Sequence, residues 1–298
     1  MSIPDKQATW KDKACGFLAG ITSGATKLSV GHPFDTIKIR MQIEGGKGRF
    51  KGPWDCLLQT IRKEGYRGLY KGATPPLIGW AFMDSIMLGS LTNYRILLQG
   101  GDLNRKLNLW EHGIAGMAAG WTVSLVATPV ELVKARLQVQ YDAQSRTYTG
   151  PIDCAQKLVQ RHGFFPGLWK GFGLTLAFRS FFGVYWSSYE WFSTQLRGMG
   201  YREMAVNFLA GGLAAQTFWC FNFPVDVVKN RWMTQPDVQP PRWTKYSQCA
   251  RFVYDTEGIR GFYRGFLPSF IRSFPTNACA LMVFEGVMRT LRPSSEKL

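Results

Sequence analysis

The stretch Pro33-Phe34-Asp35-Thr36-Ile37-Lys38-Ile39-Arg40 decides the fold, because it returns twice. It reappears as Pro129-Val130-Glu131-Leu132-Val133-Lys134-Ala135-Arg136 and again as Pro224-Val225-Asp226-Val227-Val228-Lys229-Asn230-Arg231. The three prolines lie 96 and 95 residues apart. A second block follows each copy: Glu64-Gly65 with Tyr70-Lys71-Gly72, Gly163 with Trp169-Lys170-Gly171, and Glu257-Gly258 with Tyr263-Arg264-Gly265. Cys56, Cys154 and Cys249 each precede the glycine of that block by nine residues. One Pro-x-acid-x-x-Lys arises by chance; three in register with the same companions mark a threefold internal repeat.

Working outward, each repeat reads as two long helical stretches around a short amphipathic one. The first stretches run from Lys13 to Gln42, Trp110 to Gln138 and Met204 to Met233, and the second from Thr74 to Leu98, Phe172 to Leu196 and Leu267 to Leu291. Small residues recur at four-residue spacing, as Gly16, Gly20 and Gly24, then Gly116 and Gly120, then Gly211 and Ala215. In lipid such spacing lets helix backbones approach closely. Pro53 to Lys63, Pro151 to Gln160 and Tyr246 to Asp255 read as short helices lying along a membrane surface. The fold class expected is therefore all-α, with six membrane spans and both termini on one side. The chain is read as a single domain over 1–298, with repeats at about 10–100, 108–198 and 203–292.

Composition sets the class of partner. The chain has 298 residues, and 36 Lys+Arg against 20 Asp+Glu give a formal net charge of +16. That excess suits nucleic acid, acidic lipid or an anionic metabolite. Mean hydropathy is only -0.11, and no uncharged apolar run reaches 18 residues, so hydropathy alone would miss the spans. Helices that line a water-filled cavity need only one lipid-facing stripe, which explains the polarity. Residues 1–10 lack the apolar core of a signal peptide. Six cysteines form no CxxC pair and no zinc spacing. With no nucleophile–base constellation and no nucleotide loop, the reading is a protein that is not an enzyme and needs no cofactor or metal. Nucleic acid is disfavoured because the basic residues recur at helix kinks and span edges rather than interleaved with aromatics.

The chain resembles the mitochondrial carrier family. The pattern Pro-x-[Asp/Glu]-x-x-[Lys/Arg]-x-[Lys/Arg], then [Asp/Glu]-Gly and aromatic-[Lys/Arg]-Gly, covers nearly all of it in three copies. Stretches 31–38 and 283–288 look most like the carnitine and basic-amino-acid branch. Two departures are local: His162 replaces the acid of the second repeat, and the gap from Gly163 to Trp169 is one residue longer there. The resemblance implies six transmembrane helices with threefold pseudo-symmetry and surface helices on the matrix side. It further implies a multi-pass inner-membrane protein, functional as a monomer, with alternating access to one central site; a peroxisomal membrane is the alternative host.

The motif's chemistry follows from its residues. Proline at positions 33, 129 and 224 bends its helix toward the threefold axis. A charge inside a span must face a cavity and find a partner. Three acids and three bases around one axis pair between helices: Asp35 with Lys134, Glu131 with Lys229, Asp226 with Lys38. At an effective dielectric near 20 each pair is worth at most about 4 kcal/mol before desolvation. Millimolar solute binding yields about 4 kcal/mol, enough to tip such a matrix gate.

The remaining sites come from the resemblance. An opposite, cytoplasmic gate would fall at Thr92/Arg95, Glu190/Ser193 and Glu285/Met288, with Arg95 to Glu285 as its one full pair. The helix starts at Gly72, Gly171 and Gly265 offer backbone N–H groups to an anion, and the resemblance suggests cardiolipin phosphate. Gly52 and Gly150 would be partners, with Gln248 standing where a third glycine is expected; structural glycine turns are the alternative. Substrate contacts would lie mid-membrane at Gly79 and Trp80, at Phe178 or Arg179, and at Arg272 and Ser273. Arg179 is preferred over Phe178, because an arginine at that depth needs a role.

Asp84, four residues past Trp80, shares its helix face. Carboxylate beside indole makes a cradle for an ammonium group, while Arg179 and Arg272 grip a carboxylate. Together they suggest an amino acid or carnitine derivative. The alternatives are that Asp84 merely neutralises Lys27 or Arg179, that the solute is a di- or tricarboxylate or keto acid held by the arginines alone, or that the chain is a non-transporting scaffold. His32, beside a proline, reads as a packed polar residue.

Overall fold

The computed structural model describes residues 10–44, 49–100, 105–140, 147–238 and 240–291. Among them are eleven α-helices and no strand. The first repeat contributes α1 (Trp10–Glu44), α2 (Pro53–Glu64) and α3 (Thr74–Gln99). In the second come α4 (Leu109–Gln138), α5 (Pro151–His162), α6 (Phe164–Leu168), α7 (Phe172–Ser180) and α8 (Phe182–Gly198). The third holds α9 (Glu203–Met233), α10 (Tyr246–Gly261) and α11 (Phe266–Leu291).

Neighbour relations close these helices into a ring: α3 packs on α4, α8 on α9, and α11 returns to α1. Each repeat therefore touches both others, as a threefold barrel requires. α1, α4 and α9 run on past Pro33, Pro129 and Pro224. Among the described residues, α4 and α9 are the helices long and apolar enough to pass as membrane spans by length and composition.

The even helix of the second repeat departs from the single stretch expected over 172–196. It breaks at Phe181 into α7 and α8. The extra residue before Trp169 is absorbed in α6, an α-helical turn where the first repeat has a 3-10 turn over Tyr66–Tyr70, and Phe164 and Phe165 lie exposed on it. α10 is two helical pieces joined by a kink at Gly258, whose φ of 64° ends the first piece two residues past the expected Asp255.

Each recurring cysteine is a fully buried residue of its surface helix. Cys56 packs with Ile37, Met41 and Leu69, Cys154 with Leu132, Leu158 and Met233, and Cys249 with Val228, Leu174 and Trp243. The surface helices are thus seated on the segments that carry the Pro-x-acid-x-x-Lys motif. On α4 the small-residue stripe serves close packing. A Cβ at Gly120 would meet the Arg179 carbonyl oxygen at 2.6 Å and one at Gly116 the Phe182 carbonyl oxygen at 2.9 Å. At Gly20 and Gly211 a Cβ would meet nothing within 4 Å, so close packing is not what those glycines serve.

Candidate functional site: a closed ring of charges below an open cavity

The three motifs converge. Lys134 Nζ lies 2.7 Å from Asp35 Oδ2, Lys229 Nζ 2.9 Å from Glu131 Oε2, and Lys38 Nζ 2.7 Å from Asp226 Oδ2. One pair crosses each boundary between repeats. Asp35, Lys38, Asp226 and Lys229 are buried. Aromatic faces share the cations: Lys229 Nζ sits 3.8 Å from the Phe178 ring centroid and Lys38 Nζ 4.3 Å from that of Trp219. Phe178, one of the two readings for the second-repeat contact, therefore lies against the ring.

Both arginines reach the same ring. Arg272 donates to Asp35 Oδ1 at 2.5 Å, and Arg179 is bonded to Glu131. Each guanidinium shares its carboxylate with a lysine of the ring. Trp80 and Ser273 lie outside the described side chains. Gly79 packs against α4, where a Cβ would sit 3.3 Å from Val130, so it faces a helix contact. Asp84 is exposed, and its charge acts on Lys27, which Arg272 also repels. His32 is buried, with Nε2 3.0 Å from the Lys71 carbonyl oxygen, in line with a packed polar role.

Sequence reasoning missed the amides beneath the ring. Gln42 Nε2 donates to Asp226 Oδ2 at 2.9 Å, and Asn230 Nδ2 donates to Gln42 Oε1 at 2.7 Å. Gln138 Nε2 donates to Thr36 Oγ1 at 3.0 Å. Their signal was available: Gln42 and Gln138 each lie nine residues past their proline, where the third repeat has Met233.

Above the ring, away from the surface helices, lies a cavity of about 900 Å³ lined by Ser23, Lys27, Tyr185, Asn207, Trp219 and Asn277 among others. Arg95 stacks on Trp186, 4.9 Å from the ring centroid, and Glu190 is an acid whose charge acts on it.

The glycines sort into two groups. Gly72, Gly171 and Gly265 hold φ of +75°, +91° and +86°, in the left-handed region. A Cβ on Gly72 would lie 2.9 Å from the Lys134 carbonyl oxygen, and on Gly265 3.0 Å from that of Lys38. These two turns sit directly on the ring's lysine segments. Gly52 and Gly150 are extended N-caps with open space around them. Their counterpart in the third repeat is Lys245, the N-cap of α10, and not Gln248. Gln248 stands where Asp55 and Asp153 do, its Oε1 accepting the backbone N–H of Thr244 at 2.9 Å as Asp55 accepts that of Lys51.

A six-span helical barrel with three inter-repeat ion pairs closing one end of a polar cavity is the architecture of a membrane solute carrier. The chain belongs to the mitochondrial carrier protein family, whose pattern matches residues 10–102, 105–200 and 201–295. It is similar to the mitochondrial substrate carrier family protein L of Dictyostelium discoideum, 40% identical over 281 residues, covering 94% of this chain and 96% of that one. It is also similar to the mitochondrial basic amino acids transporter of Rattus norvegicus, 34% identical over 293 residues (96% and 92%). The mitochondrial carnitine/acylcarnitine carrier-like protein of Arabidopsis thaliana is 34% identical over 305 residues (95% and 98%).

Proposed function

We propose that the protein carries a small carboxylate-bearing metabolite, an amino acid or a carnitine derivative, across the mitochondrial inner membrane by alternating access. The ring of Asp35, Lys38, Glu131, Lys134, Asp226 and Lys229 is its matrix gate, closed here. The observation that carries this reading is that Arg179 and Arg272 are bonded to two of the gate acids. A guanidinium has five donors and prefers a bidentate carboxylate. A solute carboxylate entering from the cavity competes with Glu131 and Asp35 for the arginines and so rearranges the gate pairs themselves. The similarity to carriers named for basic amino acids and carnitine supports this solute class.

The opposite gate uses Arg95 with Glu190 and Glu285. Six helices of one chain enclose the cavity, which supports a working monomer, and the N-termini at Gly52, Gly72, Gly150, Gly171 and Gly265 suit cardiolipin phosphates.

A second reading has one observation in its favour. In the gate layer five bases, Lys38, Lys134, Arg179, Lys229 and Arg272, meet three acids. An excess of two positive charges favours a dianion, hence a dicarboxylate, with or without a keto group. Uptake by proteoliposomes after a thermal-shift screen of amino acids, acylcarnitines, dicarboxylates and keto acids decides between them. Exchange of no metabolite at all would return the chain to the class of non-transporting scaffolds.

A further inference from the structure

A second tier of three arginines lies toward the surface helices, and its pattern repeats with one exchange. Arg40 Nη2 donates to Glu64 Oε2 at 3.0 Å, its Nε donates to the Gln138 carbonyl oxygen at 3.2 Å, and Lys71 bonds the same glutamate. Arg231 Nη2 donates to Glu257 Oε1 at 2.6 Å, its Nε to the Gln42 carbonyl oxygen at 2.6 Å, and Arg264 approaches Glu257 at 3.5 Å. In the middle repeat Arg136 Nε donates to the Met233 carbonyl oxygen at 3.1 Å and Nη2 to Asp237 Oδ1 at 2.9 Å. Lys170 lies 3.3 Å from that oxygen.

Asp237 therefore occupies the place of Glu64 and Glu257, while the matching sequence position holds His162. The His162 Nε2 is 3.2 Å from Asp237 Oδ1. The Tyr148 hydroxyl donates to Asp237 Oδ2 at 3.2 Å and accepts from Arg136 Nη1 at 2.8 Å. Both side chains of the Arg136–Asp237 pair are only 5% exposed.

The exchange alters what the pair connects. Glu64 and Glu257 belong to the same repeat as the bases they join, so each ties a surface helix to its own span. Asp237 follows α9, in the third repeat, and joins bases of the second. Its pair spans the boundary that Glu131–Lys229 also spans. We propose that Asp237 is a positioning residue of the matrix gate, an added ionic lock that makes the second and third repeats the last to part on that side. This rests on the alternating-access reading. Parting α4 from α9 either leaves two buried charges without partners, which is costly, or drags the segment after α9 along with α4.

The test uses the full-length carrier in proteoliposomes with a reporter cysteine, Ala135→Cys, beside Lys134 in the gate layer. A membrane-impermeant maleimide is applied from the matrix face, and each variant is compared with its own reporter-free form. Asp237→Asn is expected to raise reporter labelling about tenfold and to lower the melting temperature. Adding His162→Glu rebuilds the acid within the second repeat. The melting temperature then recovers, while labelling stays raised because the rebuilt pair no longer crosses the boundary. Unchanged labelling in Asp237→Asn overturns the lock. So does labelling in the double variant that falls back to the parental rate along with recovered stability, since Asp237 would then be only structural. If Asp237→Asn alone does not fold, the double variant decides by the same criterion. Glu131→Gln separates the two readings: raised labelling there with none in Asp237→Asn removes the lock alone, and no effect in either removes the gate as well.

Discussion

Arg272 reaches Asp35 at 2.5 Å, across the boundary between the third repeat and the first, on the carboxylate that takes Lys134 at 2.7 Å. One acid thus holds two cations from two helices. Any solute that claims the guanidinium changes the charge balance at the gate without touching the lysine. This coupling makes the arginine more than an anchor.

Arg272→Lys keeps the charge and loses the planar fork, so bidentate capture of a carboxylate fails while a single contact to Asp35 survives. Uptake of the solute found by the screen should fall by about tenfold or more, with a raised KM. The melting temperature should move less than in Arg272→Ala. Initial rates over a solute series together with thermal unfolding check both parts; a lysine variant with unchanged KM would remove Arg272 from the solute site.

The gate pairs are not equivalent, and charge swaps should reveal it. Removing one member of a buried pair, as in Asp35→Asn or Asp226→Asn, should cost about 3 kcal/mol of stability. Exchanging Lys38 with Asp226 restores opposite charges, the Gln42 amide can turn to offer its oxygen instead of its nitrogen, and the new lysine meets only the looser Lys229, 3.6 Å from Asp226 Oδ1. Exchanging Asp35 with Lys134 instead sets a lysine against Arg272. Recovery of melting temperature should therefore be larger for the 38/226 swap than for the 35/134 swap. Equal recovery would mean that Arg272 does not share the Asp35 site.

The glycines separate turn geometry from lipid capture. Gly72→Ala and Gly265→Ala force a side chain into the left-handed region, about 1–2 kcal/mol, and push a Cβ onto a gate carbonyl. Both should lower the melting temperature in detergent without added lipid. Gly52→Ala has an extended backbone and open space, so its stability without lipid should stay within about 0.5 kcal/mol. If the Gly52 N-terminus holds phosphate, that variant should lose part of the stabilisation that added cardiolipin confers on the parent. Full retention would leave Gly52 as a turn residue only.

The threefold pairing was legible because it follows from register: identical spacing in three copies fixes which charges share a level, and the axis fixes their partners. Arg179 and Arg272 were reached by counting from the glycine turns. Their attachment to Glu131 and Asp35 was not, since the reach of a long side chain across a barrel is a matter of rotamer and void, not of spacing. The break at Phe181 has no proline to announce it. Lys245 could have been found by counting: Gly52 and Gly150 stand four residues before Cys56 and Cys154, and Lys245 stands four before Cys249. Asp237 lies outside every motif, yet His162 in an acid's place signalled that Arg136 needed a partner from elsewhere.

Burial of the three recurring cysteines leads to a prediction about alkaline pH. Removal from water pushes the thiols of Cys56, Cys154 and Cys249 up to about 12, from an ordinary value near 9. Each is held as a neutral thiol against its gate helix, while the unfolded chain ionises near its ordinary value. The sign is that of a group whose folded value is raised: its contribution to stability is complete below about pH 9 and is lost as pH climbs toward 12. Thiolate is the reactive form, so at pH 8 these three positions should resist maleimide in the folded carrier. Their labelling, located by peptide mass mapping, should appear only with thermal unfolding, and the unfolding temperature should fall as pH rises from 9 to 11. Rapid labelling of Cys154 at pH 8 in the folded protein would show that α5 lifts from α4 and α9, and that the surface helices are looser than their packing indicates.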